Sequence, residues 1–131
     1  MRFGRSKGLL LACLFGISLG AAACGENAPT VGNFTGTCPP GTSCSCNVVG
    51  NCVYDCPGGG CAFTCGASGN CLFSCAGGGC DVTCQNTGNC NTSCTGNGCH
   101  MTCTGAVICS LDDCPTPSTC TKTCNNSGSC T

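Results

Sequence analysis

The stretch Cys71–Asn89 reads CLFSCAGGGCDVTCQNTGN, and the nineteen residues before it, Cys52–Asn70, read CVYDCPGGGCAFTCGASGN. The two share their cysteines and little else. The frame C-x3-C-x4-C-x3-C-x5 recurs with a period of 19, opening at Cys52, Cys71, Cys90 and Cys109, which sets repeat units at 52–70, 71–89, 90–108 and 109–129. The fourth unit, CSLDDCPTPSTCTKTCNNSGS, carries one extra residue in each of its first two gaps. Upstream, CNVVGN (46–51) matches the tail of a unit, and Cys130 matches the start of the next. A fixed short period of this kind means stacked or serially paired units.

The gaps have two characters. PGGG, AGGG, TGNG, GASGN and QNTGN are turn material, since glycine and asparagine accept the positive φ that tight reversals need. The three-residue gaps VYD, AFT, LFS, DVT, NTS and HMT centre on Tyr54, Phe63, Phe73, Val82, Thr92 and Met101, five of the six being apolar. On a strand, residues i, i+2 and i+4 share a face. Each C-x-Φ-x-C, Φ being the central residue, therefore points two cysteines and one central side chain inward and the flanking residues outward. Turn material every four or five residues leaves no room for a helix of two turns.

From Cys38 to Thr131 the chain has 94 residues, 20 cysteines and only 12 large apolar side chains. So lean a segment buries too little apolar surface to offset its conformational entropy unless covalent cross-links help. The cysteine density indicates a disulfide scaffold in an oxidising compartment. Of 22 cysteines, Cys13 falls in a leader and Cys24 directly follows it, leaving an even 20. One rule bonds each to its next neighbour. It joins Cys38 to Cys44, Cys46 to Cys52, Cys56 to Cys61, Cys65 to Cys71 and Cys75 to Cys80. It continues with Cys84 to Cys90, Cys94 to Cys99, Cys103 to Cys109, Cys114 to Cys120 and Cys124 to Cys130. The competing rule closes each unit on itself, Cys52 to Cys65 with Cys56 to Cys61 and so on, and it strands Cys38, Cys44, Cys46 and Cys130. Sequence alone does not decide between them.

Two architectures fit this all-β, disulfide-rich pattern. One is a β-solenoid with two short strands per 19-residue coil and disulfides crossing at both edges. In general plan it resembles the disulfide-stapled β-solenoids of insect antifreeze proteins, with a different unit length and consensus. The other is an antiparallel meander with every turn clipped. The solenoid is preferred, because a meander leaves its cysteine-and-aromatic face in water. The solenoid has its own tension: a bridge wants Cα atoms about 5–6 Å apart, while sheets holding rings between them want about 10 Å. Rings lying flat along the stack would reconcile the two.

Residues 1–23 form a signal peptide, with Arg2, Arg5 and Lys7 before the apolar run GLLLACLFGISLGAAA, which is short for a bilayer span. Ala21-Ala22-Ala23 suits ordinary secretion. The same residues followed by Cys24 and Gly25 resemble the lipobox of bacterial lipoproteins, although Ala21 stands where a large aliphatic is commonest. That resemblance implies a lipidated (palmitate-type) Cys24 anchored in a membrane, the outer membrane if the source is bacterial, with 24–37 as lipidated cysteine and flexible tether and 38–131 as the cysteine-rich repeat domain. Simple secretion is the alternative.

Beyond the leader only Lys122 opposes Glu26, Asp55, Asp81, Asp112 and Asp113, a charge of 1 − 5 = −4. No basic patch exists for phosphates or anionic lipid, so no nucleic-acid partner is expected. His100, the one histidine, points outward beside Met101 and reads as a solvated side chain. No acid pair recurs and no nucleophile–base–orienter set is present, so no enzyme activity and no cofactor are expected. Reduced C-x3-C and Cys44-Ser45-Cys46 would chelate metal, but zinc favours C-x2-C pairs and an exported chain meets oxidant. Thr64, Thr83 and Thr102 recur as an outward column whose neighbour Ala62, Asp81, His100 is not threonine. The expectation is a non-enzymatic, surface-exposed cysteine-rich repeat lipoprotein of the cell envelope, structural or adhesive, with an unidentified protein or glycan partner. The alternatives are a specific binder of glycan, protein or ice on one solenoid face, and a thiol-based metal buffer.

Overall fold

The structure, a computed structural model, describes residues 32–47, 50–66 and 69–131. The leader, Cys24 and most of the tether lie outside the described residues. The described chain winds into five coils, each with two short strands. Coil 1 holds β1 (Phe34–Thr37) and β2 (Ser43–Cys46); coil 2, β3 (Asn51–Asp55) and β4 (Ala62–Gly66); coil 3, β5 (Asn70–Ser74) and β6 (Asp81–Gln85). Coil 4 holds β7 (Asn89–Ser93) and β8 (His100–Thr104), and coil 5 holds β9 (Ile108–Asp112) and β10 (Thr121–Asn125), after which β11 (Ser129–Cys130) opens a further turn.

Odd strands form one sheet in the order β1-β3-β5-β7-β9-β11, and even strands form the facing sheet, β10-β8-β6-β4-β2. All nine strand pairings are parallel. This rules out the meander, in which neighbours in sequence pair antiparallel. Here strands adjacent in sequence face each other across the interior, and each pairs with the strand one coil away. Cysteine and ring are thereby enclosed on both sides. Each of Cys52, Cys71 and Cys90 pairs with the cysteine 19 residues on, ending at Cys109.

The backbone ladder continues through the turns, with Gly60 N–H donating to Gly78 O at 2.8 Å and Gly79 N–H to Asn97 O at 2.8 Å. Coils this close leave no room for a side chain at the middle glycines of the turn. A Cβ on Gly78, whose φ is +74°, would lie 2.2 Å from Gly96 O, and one on Gly77 would lie 2.3 Å from the Gly58 carbonyl carbon. In coil 4 the same left-handed position falls to Asn97, φ +67°. The two extra residues of the fourth unit leave the strands in register. They are taken up by Asp113, φ +60°, and by a single 3-10 turn over Pro117–Thr119.

The bridges join cysteines adjacent in sequence and form two ladders. One crosses the four- or five-residue turns that follow the odd strands: Cys38 to Cys44, Cys56 to Cys61, Cys75 to Cys80, Cys94 to Cys99 and Cys114 to Cys120. The other closes the turns between coils: Cys46 to Cys52, Cys65 to Cys71, Cys84 to Cys90, Cys103 to Cys109 and Cys124 to Cys130. Closure of a unit on itself does not occur, since Cys65 bridges forward to Cys71 and Cys52 back to Cys46. The reason is geometric. Cys65 ends an even strand directly before the reversal that leads to Cys71, whereas Cys52 begins the odd strand of its own coil, and Cys94, just past β7, likewise meets Cys99 across the TGNG turn.

The Cα–Cα distances run from 6.0 to 6.5 Å. The rings fit between such close sheets because they overlap instead of meeting end to end: Phe63 and Phe73, from facing sheets, stack with centroids 4.5 Å apart and planes 10° off parallel. Most of the remaining interior is sulfur, with Val82, Met101 and Thr92 among it. Sixteen cysteines, Cys65 and Cys94 among them, are at most 3% exposed.

The first coil departs from the sequence reading in two ways. Residues 34–37, assigned to the tether, form β1 and pair with β3. Phe34 packs on Tyr54 with centroids 5.0 Å apart, while Gly36 leaves space for the Tyr54 ring. Cys44, two residues before Cys46, lies in register with Phe63, so the inward central column of the even sheet begins with a cystine sulfur.

Candidate functional site

The interior offers little chemistry. Three sulfur triads, Cys56-Cys61-Cys80, Cys75-Cys80-Cys99 and Cys84-Cys90-Cys103, place their ligand atoms within 4.8 Å of one another. Every one of these cysteines is in a disulfide, and a disulfide sulfur lacks the negative charge that makes a thiolate a ligand. Thr92 takes the central inward position in β7, and its Oγ1, like that of Thr87, is buried without a hydrogen-bond partner among the described residues.

The outward faces are built by register. On the even sheet, Ser45, Thr64, Thr83, Thr102 and Thr123 fall in one column. The sequence period shows three of these. Thr123 stands 21 residues after Thr102, because the inserted residues of the last unit are displaced into its turn. The column beside it runs Ser43, Ala62, Asp81, His100, Thr121. His100 is exposed, and its Nδ1 shares a hydrogen bond with the Thr121 hydroxyl. Register thus sets Asp81, His100 and Thr121 in a row on an open surface. That row has an acid, an imidazole and a hydroxyl. It lies on exposed strand positions, with no enclosing cavity.

The odd sheet carries a feature the sequence reading missed. Asn33, Asn51, Asn70 and Asn89 stack one per coil: Asn51 Nδ2 donates to Asn33 Oδ1 at 3.0 Å and Asn70 Nδ2 to Asn51 Oδ1 at 2.9 Å. The Asn89 backbone N–H donates to Asn70 Oδ1 at 3.1 Å. Such ladders add side-chain hydrogen bonds parallel to the backbone ones. Their signal was the recurring Gly-Asn-Cys at 50–52, 69–71 and 88–90. At Ile108 the ladder stops.

The charged side chains among the described residues are sparse. Asp55, Asp81 and Asp112 stand on outward strand positions, Asp113 accepts a hydrogen bond from the Ser93 hydroxyl at 2.8 Å, and Lys122 lies at the C-terminal end. Cys24, the proposed lipidation site, is outside the described residues. No described helix is long and apolar enough to cross a membrane. No protein family, curated protein or solved structure matches the chain.

Proposed function

We propose that the protein is a non-enzymatic rigid scaffold of the cell envelope, tethered by lipid at Cys24, whose outward faces meet an envelope protein or glycan. The observation that carries this reading is the double ladder of ten bridges along the stack. Many disulfides suit an oxidising, extracytoplasmic setting. A frame that is covalently closed in every coil, with varied outward residues such as Val53, Leu72 and Asn91 in register, fits a structural role. The lean set of charges supports neither a nucleic-acid partner nor an active site with a general base.

Membrane fractionation of a Cys24→Ala variant tests the tether. The variant should leave the membrane fraction, and unchanged membrane association would count against lipidation and in favour of plain secretion. A second reading, a binding face for a regular surface such as glycan or ice, draws on the five-hydroxyl column from Ser45 to Thr123. Glycan-array binding or thermal hysteresis that disappears in a Thr83→Lys variant would favour it. For the metal-buffer reading the check is a free-thiol count on protein purified without reductant: close to none dismisses it.

A further inference from the structure

Among the described residues the solenoid ends in open edges. Among the described residues β10 and β11 have no strand on their far side, and neither do β1 and β2. An unpaired edge is a template for another chain. Head-to-tail stacking of one solenoid on the next does not close on itself and so grows a filament.

One residue at the C-terminal edge breaks the pattern that such stacking would extend. The inward central column of the even sheet runs Cys44, Phe63, Val82, Met101 and then Lys122. Lys122 is in register with Met101 and half-buried. It lines a shallow recess of about 190 Å³ with Leu111, Cys114, Pro117 and Cys120. It is the only lysine or arginine among the described residues. In the last coil a lysine stem can cover the end of the interior while its ammonium stays in water. Under a further coil that ammonium would be sealed between layers.

Among the described residues the opposite end has nothing to neutralise it. No aspartate or glutamate occurs from Gly32 to Tyr54, and the first carboxylate, Asp55, stands at an exposed position of β3. An unpaired buried ammonium costs more than an edge pairing returns. We infer that Lys122 is a stop: by holding a charge in the inward column of the last coil, it prevents a second copy of this chain from stacking on the C-terminal edge. The inference is independent of the scaffold reading, since it concerns self-association alone.

Sedimentation of full-chain protein purified without reductant tests it, using Lys122→Met and Lys122→Arg. Wild type and Lys122→Arg should sediment as one species whose mass does not depend on concentration. Lys122→Met should gain mass with concentration, by about twofold or more at the upper end, and show elongated particles in electron micrographs. Acetylating folded wild-type protein removes the same charge without refolding and should give the same rise. Acetylated Lys122→Arg controls for every other amine. A Lys122→Met protein or an acetylated wild type that stays monodisperse overturns the inference, as does wild type that stacks unaided.

Discussion

Coils 3 and 5 have the same two bridges and nearly the same strands, yet they are protected differently. In coil 3, Cys75, Cys80, Cys84 and Phe73 are fully buried and Val82 is 2% exposed. In coil 5, Cys114, Cys120 and Cys124 are partly exposed, Cys130 is exposed, and the interior pair is Leu111 with Lys122. Covalent closure is equal in the two. The difference is coverage: among the described residues coil 3 has a neighbour on each side, whereas coil 5 has only the short β11 beyond it. The turns follow suit. The AGGG turn of coil 3 is pressed between its neighbours, while the coil 5 turn is wider and is held by Asn97, whose Oδ1 accepts from Thr116 N–H at 2.7 Å. Cross-links fix which segments face each other; stacking seals them from water.

The largest effect that bears on this comparison is complete reduction. Each small loop contributes about 2 kcal/mol, and the interior is mostly sulfur, so opening all ten bridges should abolish both the β-type circular dichroism and the melting transition. A reduced protein that keeps both would break the account of the middle coils as well as the ends.

Limiting reductant should distinguish the two regions directly. The bridges of Cys114 to Cys120 and Cys124 to Cys130 should open first, and mass mapping of alkylated peptides should find label on these four before any other cysteine. Early label on Cys75 or Cys80 would show that coverage does not govern access.

Next in size is the turn. Gly78→Ala places a methyl group 2.2 Å from Gly96 O at a left-handed φ and should destabilise by about 3 kcal/mol, read as a lowered melting temperature. Ser118→Ala, in the exposed turn of coil 5, should change stability by less than about 0.5 kcal/mol. Equal effects at the two sites would erase the contrast between tight and loose coils.

The smallest effect sharpens the view of the interior. Thr92→Val keeps the shape and removes a buried hydroxyl that has no partner among the described residues, so it should stabilise by about 1 kcal/mol. A destabilising result would show that the hydroxyl is bonded through water.

Much of this fold was legible because the repeat keeps its cysteines in every unit. The frame marks the strands, their inward positions and the turns, and the parity of 20 cysteines makes neighbour pairing one of two workable rules. The features that were not legible depend on register. Cys44 looks like one more bridging cysteine until β2 pairs with β4 and sets it beside Phe63. The outward column runs on to Thr123 only because a loop takes up the inserted residues, which a count at fixed period misses. β1 lies outside the cysteine frame, and its four residues count as strand because they pair with the edge of β3.

By itself the sequence determined the spacing of cysteines, the alternation of inward and outward residues, and the poverty of charge and apolar bulk that makes cross-linking necessary. Those are local properties, set by the two-residue repeat of a strand and the positive φ of its turns. Only the tertiary structure decided that the sheets are parallel and not hairpinned, that Cys65 closes on the next coil and not on its own, that rings from facing sheets overlap, and that Lys122 ends the inward column of the even sheet. These depend on which backbone groups find each other one coil away, and a C-x-Φ-x-C segment reads the same whether its partner is its neighbour in sequence or its neighbour in the stack.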